Sequence, residues 1–247
     1  MPHLPPIIFE DDALLAFDKP SDLPVAAERR APSKANLLAA VRAKFGAGVA
    51  NVHRLDTEAS GLVLFTKSKV ALDFISGQFQ SKTVAKHYHA LVVGAPELDF
   101  TTIELVLKED EGAPGKMCVV KKHGQAAVTD VQVLERFGAF TLVDVQPRTG
   151  RTHQIRVHLA ATGTPLLNDP LYGNGTPLLL SGLKRGYKGR DEERPLIDRL
   201  ALHATALTFN HPLTRERTTL TAPLPKDLEV ALKYLRKFSP GTKRHTP

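Results

Sequence analysis

The sequence predicts an α+β fold with a mixed, mainly antiparallel central sheet flanked by helices. Three observations lead there. Short apolar runs with strand character outnumber the stretches with helical spacing. The two kinds do not alternate, as they would in a doubly wound sheet. The run Leu62-Val63-Leu64-Phe65 is apolar at every position, which suits a strand covered on both faces.

The elements follow in order. Ile7-Ile8-Phe9 and Leu14 to Phe17 read as two strands joined by a turn at Asp11-Asp12. Lys19 to Pro24 has turn chemistry, so a loop follows. Ser33 to Phe45 spaces Leu37, Leu38, Val41 and Phe45 as a helix does, with Ser33 as N-cap. A second helix is expected over Lys69–Gln80. Tyr88–Val93 is a strand ended by Gly94-Ala95-Pro96. Further strands are expected at Thr101–Leu107, Met117–Val120, Ala127–Glu135 and Phe140–Gln146. Thr152–Thr162 reads as a helix with Thr152 near its N-cap and Gly163 as its stop. Leu200–Phe209 and Thr218–Thr221 return to strand, and Leu228–Phe238 is a last helix. Ser181 to Arg199, dense in charge and glycine, reads as a surface insertion. Residues 1–225 are expected to form one domain, and residues 226–247 a helix with a basic tail.

Lys and Arg number 33 against 26 Asp and Glu, a formal charge of +7. The carboxy-terminal 22 residues alone carry six Lys/Arg and two Asp/Glu, hence +4. A basic balance points to a polyanionic partner, with a solvated basic surface as the bland alternative. One cysteine, Cys118, excludes an internal disulfide and a four-thiolate zinc site. It fits a reducing cytoplasm. No secretory signal is evident at residues 1–10, and no apolar stretch approaches membrane-spanning length, so no membrane partner is expected.

Three segments concentrate chemistry. Asn51 to Leu62 sets His53, Arg54 and Asp56 in a loop directly before a buried strand. Taken alone, Asp56 reads first as a turn-capping aspartate. Arg148 to His158 crowds Arg148, Arg151 and Arg156 with His153 and His158 into a turn and a helix start. Arg156 lies at the margin of the helix's apolar face, where a buried guanidinium needs a partner and a carboxylate fits it bidentately. The same basic residues also read as a phosphate grip. Lys82 to Ala90 leads basic residues, Lys86 among them, into a strand carrying Tyr88, and a half-buried strand tyrosine is the ordinary reading.

Together these segments resemble the RluA family of pseudouridine synthases, over nearly the whole chain. The resemblance runs through Asp18-Lys19-Pro20-Ser21-Asp22-Leu23, His53-Arg54-Leu55-Asp56 with Ser60-Gly61-Leu62, and Lys86-x-Tyr88-x-Ala90-Leu91-Val92. It continues through Gly150 to Leu159, Asn168-Asp169-Pro170-Leu171-Tyr172-Gly173, Leu202-His203-Ala204, His211-Pro212 and Ala222-Pro223-Leu224-Pro225. The family's threonine before Ser-Gly is here Ala59, its Asn before Lys-Pro is Asp18, and the glycine that follows is Asp22. No departure falls on an expected catalytic position.

The resemblance implies the pseudouridine synthase catalytic fold and an isomerase that turns a uridine of ribosomal or transfer RNA into pseudouridine. No cofactor is expected, because the reaction involves no redox change. Asp56 is the implied nucleophile, a role a carboxylate can fill covalently. Tyr88 is the implied active-site tyrosine, by stacking on uracil or as a base. Arg156 is the implied charge partner of Asp56. The uridine must be flipped out of its stack, and Arg54 is implied to fill the vacancy. His53 is grouped with Arg54 among the RNA-binding residues, with packing of the same loop as its other reading, while Arg148, Arg151, Lys86 and the basic tail are expected on RNA phosphates. A monomer is expected, beginning directly with the catalytic core and without an amino-terminal accessory RNA-binding domain.

Two other classes remain open to the same residues. A glycosidase or nucleoside hydrolase could use Asp56 as nucleophile and Glu58 as acid, and a non-catalytic RNA-binding protein could keep the basic residues. A zinc enzyme fits poorly: His153 and His158, five apart, differ by about 140° around a helix.

Overall fold

The computed structural model describes residues 4–27, 35–189 and 192–241. It contains, among these, eleven strands and four helices that follow the expected order. The chain forms two compact units. The first comprises residues 1–88 and 203–223, the second residues 89–202 and 224–247.

In the first unit, β1 (Ile7–Glu10) and β2 (Leu14–Lys19) form an antiparallel hairpin around Asp11. The Asp11 carboxylate accepts the backbone N–H groups of Ala13 and Leu14, so the turn caps itself. β2 pairs antiparallel with β4 (Ser60–Thr66), and β4 pairs parallel with β10 (Leu202–Asn210) through His203 and Ala204. β11 (Arg217–Thr221) closes a hairpin onto β10. A two-residue strand, β3 (Ala50–Asn51), lies antiparallel to the end of β4. It is too short to leave a periodic signal in the sequence.

Strand periodicity explains the two-sided burial. Leu14, Ala16, Leu62 and Leu64 point to one face, where Ala71 and Ile75 of α2 (Lys69–Gln80) cover them. Leu15, Phe17, Val63 and Phe65 point to the other, under Leu37 and Val41 of α1 (Leu37–Phe45). Ser68 caps α2 through its side chain. Asn36 caps α1 in the same way; the expected cap, Ser33, lies outside the described residues.

β5 (Ala85–Val93) carries the chain from the first unit into the second. There β6 (Phe100–Glu109) stands between β7 (Met117–Val120) and β8 (Gln125–Arg136), and β8 continues antiparallel to β9 (Phe140–Pro147). The helix expected from Thr152 begins later, as α3 (Gln154–Ala161), because His153 takes a left-handed conformation at φ 51° and breaks the run. The last helix, α4 (Lys226–Phe238), places Leu228, Ala231, Leu232 and Leu235 in helical spacing on one apolar stripe. That stripe packs with Leu91, Phe137, Leu167, Leu178 and Ile197. The end of the expected basic tail, residues 242–247, lies outside the described residues. Residues 181–199 read in the sequence as a surface insertion, but the segment's end is drawn into this core: Ile197 bridges Leu178, and Arg199 grips Asp227 bidentately at 2.6 and 2.8 Å.

Candidate active site

The loop of residues 52–59 is held at both ends by the β3–β4 pair. Leu55 anchors its middle, buried in the core under α1. With Leu55 turned inward, Arg54 is exposed and Asp56 is half-buried. The Asp56 carbonyl accepts the Ala59 N–H at 3.2 Å, closing a turn. His53 packs flat on Phe79 at 5.4 Å, and its Nε2 accepts the Leu64 N–H at 3.1 Å. Burial, with the nearby Lys86 charge, lowers its pKa to about 4, so His53 is a neutral packing residue at physiological pH.

Lys19, to which the motifs assign no role, is fully buried. Its ammonium donates to the carbonyls of Pro20 at 2.9 Å, Leu23 at 2.8 Å and Thr57 at 3.1 Å. An ammonium has three N–H donors, and three carbonyls receive them here. Lys19 thereby ties the Pro20–Leu23 turn to the residue directly after Asp56. Within that turn Asp22 sits at φ 62°, a conformation that explains why a glycine suits this position and that aspartate tolerates. The sequence signal for Lys19 was its place beside Pro20; its distant partner Thr57 was not readable.

Gly61 fixes the loop's exit. Its φ is 109°, and a Cβ there would lie 2.3 Å from the Ala204 carbonyl oxygen. Glycine therefore lets β4 and β10 approach closely, and Ser60 Oγ meets His203 Nδ1 at 2.9 Å beside it.

Tyr88 and Lys86, two apart on β5, share one face of the strand. Withdrawal from water, and then the Asp56 carboxylate, push the Tyr88 phenol well above its usual range. Asp56 and Tyr88 are thus brought together within the first unit, and Tyr88 remains protonated at any physiological pH. Burial lowers the Lys86 ammonium to about 8.

In the second unit Arg156 is not at a helix margin, as its spacing suggested, but completely buried, in a helix buried continuously from Gln154 to Leu159. It meets Asp169 bidentately, Nε to Oδ2 and Nη2 to Oδ1, each at 2.8 Å. Burial opposes ionisation of Asp169, but the Arg156 bonds and charge and the N–H groups of Leu171 and Tyr172 hold its carboxyl below the usual range. The Tyr172 ring lies 5.3 Å from the Arg156 guanidinium. Its hydroxyl accepts the Met117 N–H at 2.7 Å and meets His153 Nδ1 at 2.9 Å. Asp169 belongs to the Asn168–Gly173 motif, yet nothing local pairs it with a residue thirteen positions earlier.

The other arginines of the segment go elsewhere. Arg148 grips Asp130 at 2.6 and 2.9 Å, and the Arg151 Nε donates to the Ala126 carbonyl at 3.2 Å. Gln154, also unassigned from sequence, locks the turn onto β8. Its amide nitrogen donates to the Val128 carbonyl and Thr129 Oγ1, and its oxygen accepts from Thr149 Oγ1 and the Arg151 N–H. Among the described residues no three His, Cys, Asp or Glu side chains stand together as a metal site, and no helix is long and apolar enough to cross a membrane.

Known proteins resemble this chain over most of its length. The family model for RNA pseudouridylate synthase matches residues 13–161. A protein of Neisseria meningitidis named ribosomal large subunit pseudouridine synthase D is 38% identical over 93% of this chain, and the chain spans 61% of that protein's length. The ribosomal large subunit pseudouridine synthase C of Vibrio vulnificus is 34% identical over 93% of this chain and is covered over 69% of its own length. Among solved structures, human RNA pseudouridylate synthase domain containing 4 superposes with a TM-score of 0.69 at 28% identity, covering 93% of this chain and 92% of that one. The α+β fold, the order of its strands and the loop that carries Asp56 belong together because this chain is a member of the RNA pseudouridylate synthase family.

Proposed function

We propose that this chain is an RNA pseudouridine synthase acting on large-subunit ribosomal RNA, with Asp56 as its nucleophile. The observation that carries the reading is Asp56 itself: a carboxylate on a loop pinned by buried Lys19, with the Tyr88 ring beside it, in a chain of this family. The choice of ribosomal RNA rests on the names of the two bacterial relatives.

In this reading RNA is held by its phosphates and the target uridine is flipped from its stack, at a cost of a few kcal/mol. Exposed Arg54, two residues before Asp56, takes the vacated place. The bond between C1′ and N1 breaks, the uracil turns, and C5 bonds to C1′. The proton on C5 is lost and N1 gains one, so atoms balance without oxidant or cofactor. Asp56 acts ionised. Tyr88 is held protonated, which supports a stacking and hydrogen-bonding role over that of a phenolate base. Arg156, which the resemblance implies as a charge partner, is completely buried in the second unit, where Asp169 holds it in one orientation.

The test is incubation with a large-subunit ribosomal RNA transcript, followed by carbodiimide mapping of pseudouridine. Wild type is expected to modify a discrete uridine. Asp56→Asn is expected to fold and bind RNA with no product, and turnover by pure mutant free of deamidated enzyme overturns the nucleophile assignment. Release of free uracil would instead establish a hydrolase.

A further inference from the structure

One charged surface of the second unit lies at residues 121–124. β6 lies between β7 and β8, so residues 121–124 must cross over β6 to join β7 to β8. Val106 pairs with Val120 on one side and Ala126 on the other, which places the crossing at that point. Gly124 makes it possible: a Cβ there would lie 2.6 Å from the Leu107 carbonyl oxygen, 2.8 Å from Val106 and 2.9 Å from Val120. The backbone is pressed onto the sheet, and residues 121–126 are exposed.

The three residues carried over the strand are Lys121, Lys122 and His123. No acidic residue occurs from Gly112 to Thr129. Among the described residues neither lysine side chain forms an ion pair or hydrogen bond. Arg151 extends the same corner, since its guanidinium donates to the carbonyl of Ala126, two residues after Gly124. Arg148, by contrast, is already paired with Asp130. A close pair of unpaired lysines beside a half-exposed arginine, raised on a rigid crossing, is the arrangement that a phosphate backbone recognises: point charges without base-reading geometry.

We propose that this crossover, with Lys121 and Lys122 at its crest and Arg151 at its foot, is an RNA-backbone contact separate from the modification chemistry. It holds RNA by phosphate neutralisation and leaves sequence choice to other residues. The contact rests on the functional reading for its RNA partner, yet binding alone tests it.

The experiment compares the full chain with its K121A/K122A variant on a mixed-sequence hairpin RNA, titrated at several salt concentrations. Removing two phosphate-binding lysines should make the slope of log Kd on log salt shallower by about 1.5, and weaken binding about ten-fold at low salt. An unchanged melting temperature shows that the exposed substitutions leave the fold intact. At saturating RNA, pseudouridine formation should keep its maximal rate, so KM rises and kcat does not fall. An unchanged Kd and salt slope overturns the proposal, as does a lower kcat at saturation with unchanged Kd. Preferential loss of binding to phosphatidylserine vesicles, with RNA affinity intact, overturns it in favour of a membrane surface. Wild type that binds RNA but makes no pseudouridine leaves this contact standing and refutes the functional reading instead.

Discussion

At the residue scale, two buried cations give sharp expectations. Lys19 has three carbonyl partners, one of them on the residue after Asp56. Lys19→Met removes all three donors and leaves buried acceptors unsatisfied, at about 1–3 kcal/mol for each that cannot reach water. Turnover should fall more than stability, because the Asp56 loop loses its pin; a melting curve beside a kcat measurement checks this, and a variant with full kcat refutes the pin. Arg156 and Asp169 form a pair with no exposure on either side chain. Arg156→Ala should cost roughly 3–5 kcal/mol of stability, since Asp169 keeps a buried charge without its partner. Replacing both with apolar residues of similar volume should cost clearly less than the sum of the single changes. A double-mutant cycle in urea measures that coupling, and additive losses would show that the two do not act as a pair.

At the element scale, the junction of β4 and β10 is a demanding contact. The Ala204 carbonyl comes so near Gly61 that no side chain fits, and the positive φ adds strain for any L-residue. Gly61→Ala should lose at least about 3 kcal/mol, the sum of a left-handed penalty and a backbone clash. The expected readout is a large drop in melting temperature with loss of activity, because the strand that starts at Ser60 also ends the Asp56 loop. A variant that melts like wild type would mean that β10 can shift without cost. Helix ends are cheaper to disturb, since side-chain caps such as Ser68 contribute about 1 kcal/mol each.

At the scale of the whole molecule, buried titratable groups set the response to pH. His53 and His158 have folded pKa values of about 4 against an ordinary 6.5, both because burial disfavours the charged ring. Between pH 6.5 and 4 the unfolded chain therefore takes up protons that the folded chain refuses. Stability should fall as pH drops through that window. Lys86, at about 8 against 10.5, follows the same sign in a higher window: the cost of burying its charge is present at neutral pH and is relieved as pH rises from 8 to 10.5. Denaturant unfolding across the histidine window, from the folded value of about 4 up to neutrality, should show the acid-side slope. His158→Gln should flatten it in part, and a flat wild-type profile would place both rings in water.

Much of this protein is legible in the order of its residues. Apolar spacing locates α2 to the residue, and the continuous run at Leu62–Phe65 announces a strand covered on both faces. Those readings succeed because helix and strand periods are local properties of the chain. The motifs containing Asp56, Tyr88 and Arg156 point to the family for the same reason, since their order survives in one dimension. What the sequence determined by itself is therefore the succession of elements and the chemistry available. Partners were decided only in three dimensions: Thr57 for Lys19, Asp169 for Arg156, and His203 for Ser60, the last 143 positions away. So were the protonation states of Tyr88, His53 and Lys86, because desolvation and Coulomb energy depend on distance through the folded protein and not along the chain.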